Sequence, residues 1–324
     1  MKKMQRWWKV LLIFGVLFAA LFAIMTPWNS SALSSHPRPA KSYGEAMQRI
    51  ERLKSRDSVG MNPLCQLQLM THNKKVSRAI ILVHGYTSCP RQFQALGQQF
   101  YDMGYNVLIA PLPHHGLKDK MTEEHGKLKT EELAAYADET VDIARGLGDR
   151  VTMMGISAGG VTTGWAAQNR SDLDLAVIIS PAFGFKKIPN PFTAAVMNIY
   201  RLLPDAFEWW DPALKTNITP THLYPRYSQH ALVQILRLGF ATEDAAEHQA
   251  PAAKRIVMIF NPSDSSINNE RTTDIVKIWQ AHHATLGSYE FPAQLQLAHD
   301  LIDPSQPKQK VALVYPRLID LVNH

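Results

Sequence analysis

The sequence predicts an α/β protein: a mostly parallel central sheet with helices on both faces and an inserted helical cap. Three observations predict it. Short, continuously apolar runs such as Ala79–Val83 (AIILV), Leu175–Ser180 (LAVIIS) and Ile256–Phe260 (IVMIF) read as strands covered on both faces. Segments of helical spacing alternate with them, the order of a parallel βαβ sheet. Residues 183–253 break the rhythm: they are rich in aromatics, Pro and His, and carry no strong strand. A structureless loop of that length is uncommon, so the stretch reads as a mostly helical insertion with helices near 193–203 and 228–239.

Each element follows from local pattern. Residues 1–32 read as a signal peptide or membrane anchor, residues 33–60 as a Ser/Pro-rich linker and short amphipathic helix (43–56), and residues 61–324 as the α/β domain. After the first strand, Pro90–Met103 has helical spacing and stops at Gly104, a residue suited to a C-cap. Tyr105–Ala110 is the second strand and Glu131–Leu147 the second helix. Arg150–Gly155 and the helix Ala158–Asn169 follow, then the strand LAVIIS. Beyond the cap come IVMIF, a helix over Asn268–His282, a strand near Gly287–Phe291, and a last helix Pro316–Val322 with Pro316 in its first turn.

Composition excludes several function classes. With 46% hydrophobic and 19% charged residues, the 324-residue chain is neither fibrous nor disordered. Its net charge of +6 is concentrated at the start: Lys2, Lys3, Arg6 and Lys9 precede any acidic residue, and without them 30 basic residues face 28 acidic ones. No Lys/Arg stripe with interleaved aromatics exists, which argues against nucleic-acid binding. The basic start leads into the apolar run Val10–Met25, flanked by Trp7, Trp8 and Trp28. That pattern fits an export signal cut near Ser30-Ser31-Ala32 or an uncleaved anchor, and both place the main domain outside the cytoplasm. Cys65 and Cys89 are either a disulfide of an exported protein or two unpaired thiols.

The chemistry centres on residues 155–159, Gly-Ile-Ser-Ala-Gly, which fit G-x-S-x-G between a buried strand and a helix. Gly155 and Gly159 permit a sharp turn that pushes Ser157 out at the sheet edge, where the helix N-terminus adds positive dipole. An ordinary turn with a capping serine is the alternative. A serine nucleophile needs a base and an orienting acid, following it in chain order at strand ends. Asp264, in NPSD after IVMIF, fits the acid, or else caps the next helix. His299, in AQLQLAHDLID beyond the last strand, fits the base. It is one of 13 histidines, and Asp300 and Asp303 beside it read as salt-bridge partners. Acyl transfer also requires two N–H donors for the oxyanion. Ala158 supplies one and Tyr86 the other, in VHGYTSCP, where His84 and Gly85 shape the loop. His114-His115 lacks further ligands for a metal. Trp209-Trp210 lines an acyl pocket or packs the cap.

ILVHGYTSCPRQFQALGQQFYDMGYNVLIAPLPHHG (residues 81–116), GISAGG, NPSDSSI and AHDLID together resemble the bacterial carboxylesterase and monoacylglycerol lipase branch of the α/β-hydrolases. The resemblance covers residues 79–180 and 254–322. It departs at Pro113-His114-His115-Gly116, where the family turn is P-G-H-G-like and carries a further glycine. It implies hydrolysis of a small-molecule or lipid carboxylic ester by Ser157, Asp264 and His299, with no metal or organic cofactor. Lysophospholipid, thioester or peptide cleavage, acyl transfer to an envelope acceptor, and a non-catalytic binding module are the alternatives.

Overall fold

In a computed structural model that describes residues 2–28, 33–56, 60–217 and 222–324, the chain builds a seven-stranded sheet. Its strands are β1 (Gln68–Met70), β2 (Val76–Val83), β3 (Asn106–Ile109), β4 (Gly148–Ile156), β5 (Leu175–Ile179), β8 (Ile256–Phe260) and β9 (Leu286–Glu290), in the order β1-β3-β2-β4-β5-β8-β9. Only β1 runs antiparallel, pairing Leu69 with Leu108. The edge strand β1 has no counterpart in the sequence reading. It is three half-buried residues long, too short and too mixed to show a period.

Period-two alternation explains why the apolar runs sit at the centre. Ile80 and Leu82 of β2 point into one core, with Phe93, Leu96, Phe100, Val314 and Leu318. Ile81 and Val83 point into the other, with Leu133, Val141 and Trp165. The helices covering these faces are α2 (Tyr43–Arg56), α3 (Gln94–Asp102), α4 (Thr130–Leu147), α5 (Ala158–Asn169), α8 (Asn269–Ala281) and α9 (Val311–Asn323). The helix expected over Pro90–Met103 divides into a 3-10 turn, Pro90–Phe93, and α3.

The final helix corrects the sequence reading. It starts at Val311, so Pro316 lies inside it rather than in its first turn. An interior proline costs about 3 kcal/mol. Burial of Val314, Tyr315, Leu318 and Val322 on both sides of it outweighs that cost.

The cap contains α6 (Thr193–Leu202) and α7 (Gln229–His248) and also a small antiparallel hairpin, β6 (Phe207–Trp209) with β7 (Arg226–Ser228), which three-residue strands did not reveal in sequence. α7 runs past its expected end. Gly239 does not stop it, but lets it approach Phe183, whose Cδ1 would lie 3.0 Å from a Cβ there.

The N-terminal segment forms α1 (Lys2–Met25), with exposed apolar side chains from Leu11 to Phe22. Its C-terminal end meets the cap, where buried Asn198 donates Nδ2 to Ile24 O (2.8 Å) and Thr26 O (2.7 Å). Among the described residues no helix is long and apolar enough to cross a membrane. Ser30-Ser31-Ala32 lie outside the described residues. Cys65 and Cys89 form a disulfide with Cα atoms 5.2 Å apart.

Candidate active site

The turn from β4 into α5 has the geometry that its glycines permit. Ser157 sits at φ 57°, ψ −117°, a conformation costly for a residue with a Cβ. A Cβ on Gly155 would strike Gly159 O, and one on Gly159 would strike Val83 O. Only glycine at both positions lets helix, strand and neighbouring strand meet this closely. Ser157 N donates to Ile179 O (3.1 Å) and Ser157 O accepts from Ala182 N (3.1 Å), so the turn is fastened to the end of β5.

Asp264 and His299 stand at the same C-terminal edge, after β8 and β9. Asp264 Oδ2 accepts from His299 Nδ1 at 2.7 Å. Its other oxygen accepts from Ser266 N (2.8 Å) and Ile267 N (3.2 Å), which fixes the carboxylate and makes it a turn anchor as well. Nδ1 is thereby occupied, and Nε2 has no protein partner among the described residues. Burial works against the charged ring, yet the Asp264 carboxylate outweighs it and holds His299 above the ordinary imidazole value. Burial likewise pushes Asp264 up, but His299 and the two amides bring it below its ordinary value.

The loop after β2 closes on the serine. A Cβ on Gly85 would lie 3.5 Å from Ser157 Cβ. The Tyr86 and Ala158 amides have no protein acceptor among the described residues, as an oxyanion pair requires. His84 bonds within and beyond this loop: its Nδ1 is 2.8 Å from Gly85 O and its Nε2 accepts from Leu112 N at 2.9 Å. Complete burial and the nearby His115 hold His84 near a pKa of about 3, so it stays neutral. In the Pro113–Gly116 turn, His114 replaces the resemblance's glycine and itself adopts the left-handed region, at φ 64°. Its ring faces Glu132 at 3.2 Å.

Two contributors were missed in sequence. Buried Gln92 accepts from Gly85 N at 2.8 Å and lies close enough to Asp300 to favour its charged form, so it sits between the Tyr86 loop and the His299 loop. Asn261 donates Nδ2 to Leu297 O (3.1 Å) and Ala298 O (3.0 Å), tying the Asp264 loop to the same segment. Nothing in a lone Gln or Asn marks such a role before the loops are placed. Among the described residues no group of His, Cys, Asp and Glu suits a metal ion. Trp210 does more than pack the cap. Its ring lies 4.3 Å from Tyr227 and its Nε1 donates to Thr87 Oγ1 at 2.8 Å, across to the Tyr86 loop.

This sheet, its elbow and its cap define an α/β-hydrolase. A family model described as serine aminopeptidase, S33, matches residues 74–257, more than half of the chain, and the chain belongs to that family. Solved structures share the fold at low identity. The structure described with the metagenome-derived lipolytic enzymes LipS and LipT superposes with a TM-score of 0.57 at 16% identity, over 81% of this chain and 99% of that one. The monoacylglycerol lipase of Paleococcus ferrophilus gives 0.57 at 17%, over 79% and 96%. A soluble variant of the monoglyceride lipase of Saccharomyces cerevisiae gives 0.60 at 12%, over 79% and 90%. A comparison with curated proteins gives no match.

Proposed function

We propose that this protein is a serine hydrolase that cleaves carboxylic esters through an acyl-enzyme. Ser157 Oγ attacks the ester carbonyl, and His299 Nε2 takes its proton and returns it to the leaving alcohol. Asp264 holds the imidazole in the tautomer that leaves Nε2 free. The Tyr86 and Ala158 amides hold the oxyanion, and water activated by His299 then releases the acid. The observation that carries the reading is the backbone of Ser157, a non-glycine residue held at φ 57° where glycines on both sides clear the space. A merely structural serine gains nothing from that strain. The fold shared with lipolytic enzymes and monoglyceride lipases supports an acyl or lipid ester as substrate. The disulfide supports an exported catalytic domain, since such bonds persist in oxidising compartments. The basic start and exposed apolar face of α1 support attachment to a membrane.

A fluorophosphonate probe tests the chemistry. The expected result is labelling of the wild-type protein and none of Ser157→Ala, with ester turnover lost in the same variant. Equal labelling of both proteins overturns the reading. A panel of esters of increasing acyl length then separates a carboxylesterase from a lipase.

A further inference from the structure

Thr87 follows Tyr86 directly and is a β-branched residue at φ 64°, a conformation such side chains avoid. It is held there by four hydrogen bonds. Thr87 N donates to His115 Nε2 at 3.2 Å, and Thr87 Oγ1 donates to Tyr86 O at 2.6 Å. The other two come from the cap: Trp210 Nε1 donates to Thr87 Oγ1 at 2.8 Å, and Tyr224 N donates to Thr87 O at 2.9 Å. The Tyr86 side chain crosses the same boundary. Its hydroxyl is 2.7 Å from His125 Nδ1 and accepts at 3.1 Å from Ser228 N, at the cap's entrance to α7. The acceptor role of His115 is stable at neutral pH. Its Nδ1 sits 2.8 Å from Pro113 O, and burial together with His125 holds its pKa at about 3.

We infer that the cap hairpin is a working part of the oxyanion loop. Thr87 and Trp210 are positioning residues that aim the Tyr86 N–H, and the cap cannot lift from Thr87 without releasing that donor. This rests on the ester-hydrolase reading for its catalytic consequence. The geometry it invokes, a loop held in a strained conformation by cap contacts, stands apart from that reading.

The test uses the full-length protein and three variants. Trp210→Phe removes the indole N–H while keeping an aromatic ring against Tyr227. Thr87→Val removes the hydroxyl while keeping the branched shape, and Thr87→Ser keeps the hydroxyl. The expected result is that Trp210→Phe and Thr87→Val lower kcat about 10- to 100-fold, less than outright loss of an oxyanion donor. KM should stay within about twofold, the signature of an interaction realised in the transition state. Affinity for a boronic acid, which forms a tetrahedral adduct on serine, should fall by the same factor as kcat/KM, and Thr87→Ser should recover most of the activity. Hydrogen exchange at the Gly85–Ser88 amides should accelerate in Trp210→Phe and Thr87→Val. Unchanged kcat in either variant overturns the inference, whatever the exchange shows. So does a fall in kcat that leaves boronate affinity intact. If the wild-type protein turns over no ester, the function fails separately, and exchange alone decides whether the cap holds the loop: acceleration sustains that hold and unchanged protection overturns it.

Discussion

The molecule contains two pairs of histidine and aspartate at almost the same spacing, one open to solvent and one sealed. His299 Nδ1 meets Asp264 Oδ2 at 2.7 Å, and His222 Nε2 meets Asp303 Oδ2 at 2.8 Å. In the second pair both side chains are sealed, at 3% and 1% exposure, and the far oxygen of Asp303 accepts from Ser305 N and Oγ. In the first the ring is 24% exposed and its Nε2 remains open. The outer nitrogen of His222 is spent on its carboxylate, so that pair braces the cap-side segment against the C-terminal loop. The inner nitrogen of His299 is spent instead, so the outer one can move a proton. Distance and residue type do not separate a sealed pair from one with a nitrogen to spare. The nitrogen that is engaged, and the exposure of the ring, do.

The sharpest way to break this contrast is to delete each ring. His299→Ala should lower kcat by about 10⁴- to 10⁶-fold, the range for loss of an orienting acid or a base in a serine triad, a loss far larger than the stability cost of leaving buried Asp264 without its partner. His222→Ala should leave kcat within about tenfold but destabilise the fold by about 1–3 kcal/mol, the cost of a buried carboxylate losing its partner. Steady-state ester kinetics and urea unfolding on both variants decide it. A folded His222→Ala protein as inactive as His299→Ala would erase the distinction.

The sequence held more of the first pair than of the second. The contact between Asp264 and His299 was legible because the hydrolase resemblance sets a carboxylate and a histidine after strands, in chain order, beyond Ser157. No comparable rule relates His222 in the cap to Asp303, since each lies in irregular backbone whose path depends on tertiary packing. From sequence Asp303 reads only as a salt-bridge partner, with nothing to identify its mate. The same limit explains the hairpin β6–β7 and the reach of Trp210 to Thr87. Three-residue strands show no period, and a tryptophan in a cap names no acceptor. The strands of the central sheet were legible because burial on both faces forces continuous apolar runs. Pro316 misled because its helix-starting preference is local, whereas burial on both sides of it is not.

Next in size is the disulfide, which backs onto the closed pair: Cys65 Sγ lies 3.7 Å from His222 O. It joins the turn Pro63–Cys65 to Cys89, where the Tyr86 loop ends, across a separation of 24 residues. Closing a loop of that size stabilises a domain by about 3 kcal/mol. Replacing both cysteines by alanine should cost about that much in urea unfolding, and reductant should reproduce the loss in the wild-type protein. Turnover should fall far less than in His299→Ala, because the bridge holds the end of the loop rather than its donor. A double variant with unaltered stability would show that the brace formed by His222 and Asp303 secures this region unaided.

The smallest expected effect concerns protons, and it separates the two pairs without unfolding either. Burial disfavours the imidazolium of His299, but Asp264 and, to a lesser degree, Asp300 favour it more strongly, so its value lies above that of a free histidine. Serine attack requires the neutral ring. The acid limb of kcat/KM, which reports the free enzyme, should therefore rise with pH and have its midpoint above about 6.5, the ordinary histidine value. Asp300→Asn removes one favourable carboxylate and should move that midpoint downward. Asp303→Asn alters the closed pair and should leave it in place. A wild-type midpoint at or below the ordinary value would mean that His299 is not the group titrating in the rate. Equal shifts in both variants would mean that the two pairs are coupled through the C-terminal loop, where Asp300 Oδ1 already accepts from Asp303 N at 3.1 Å.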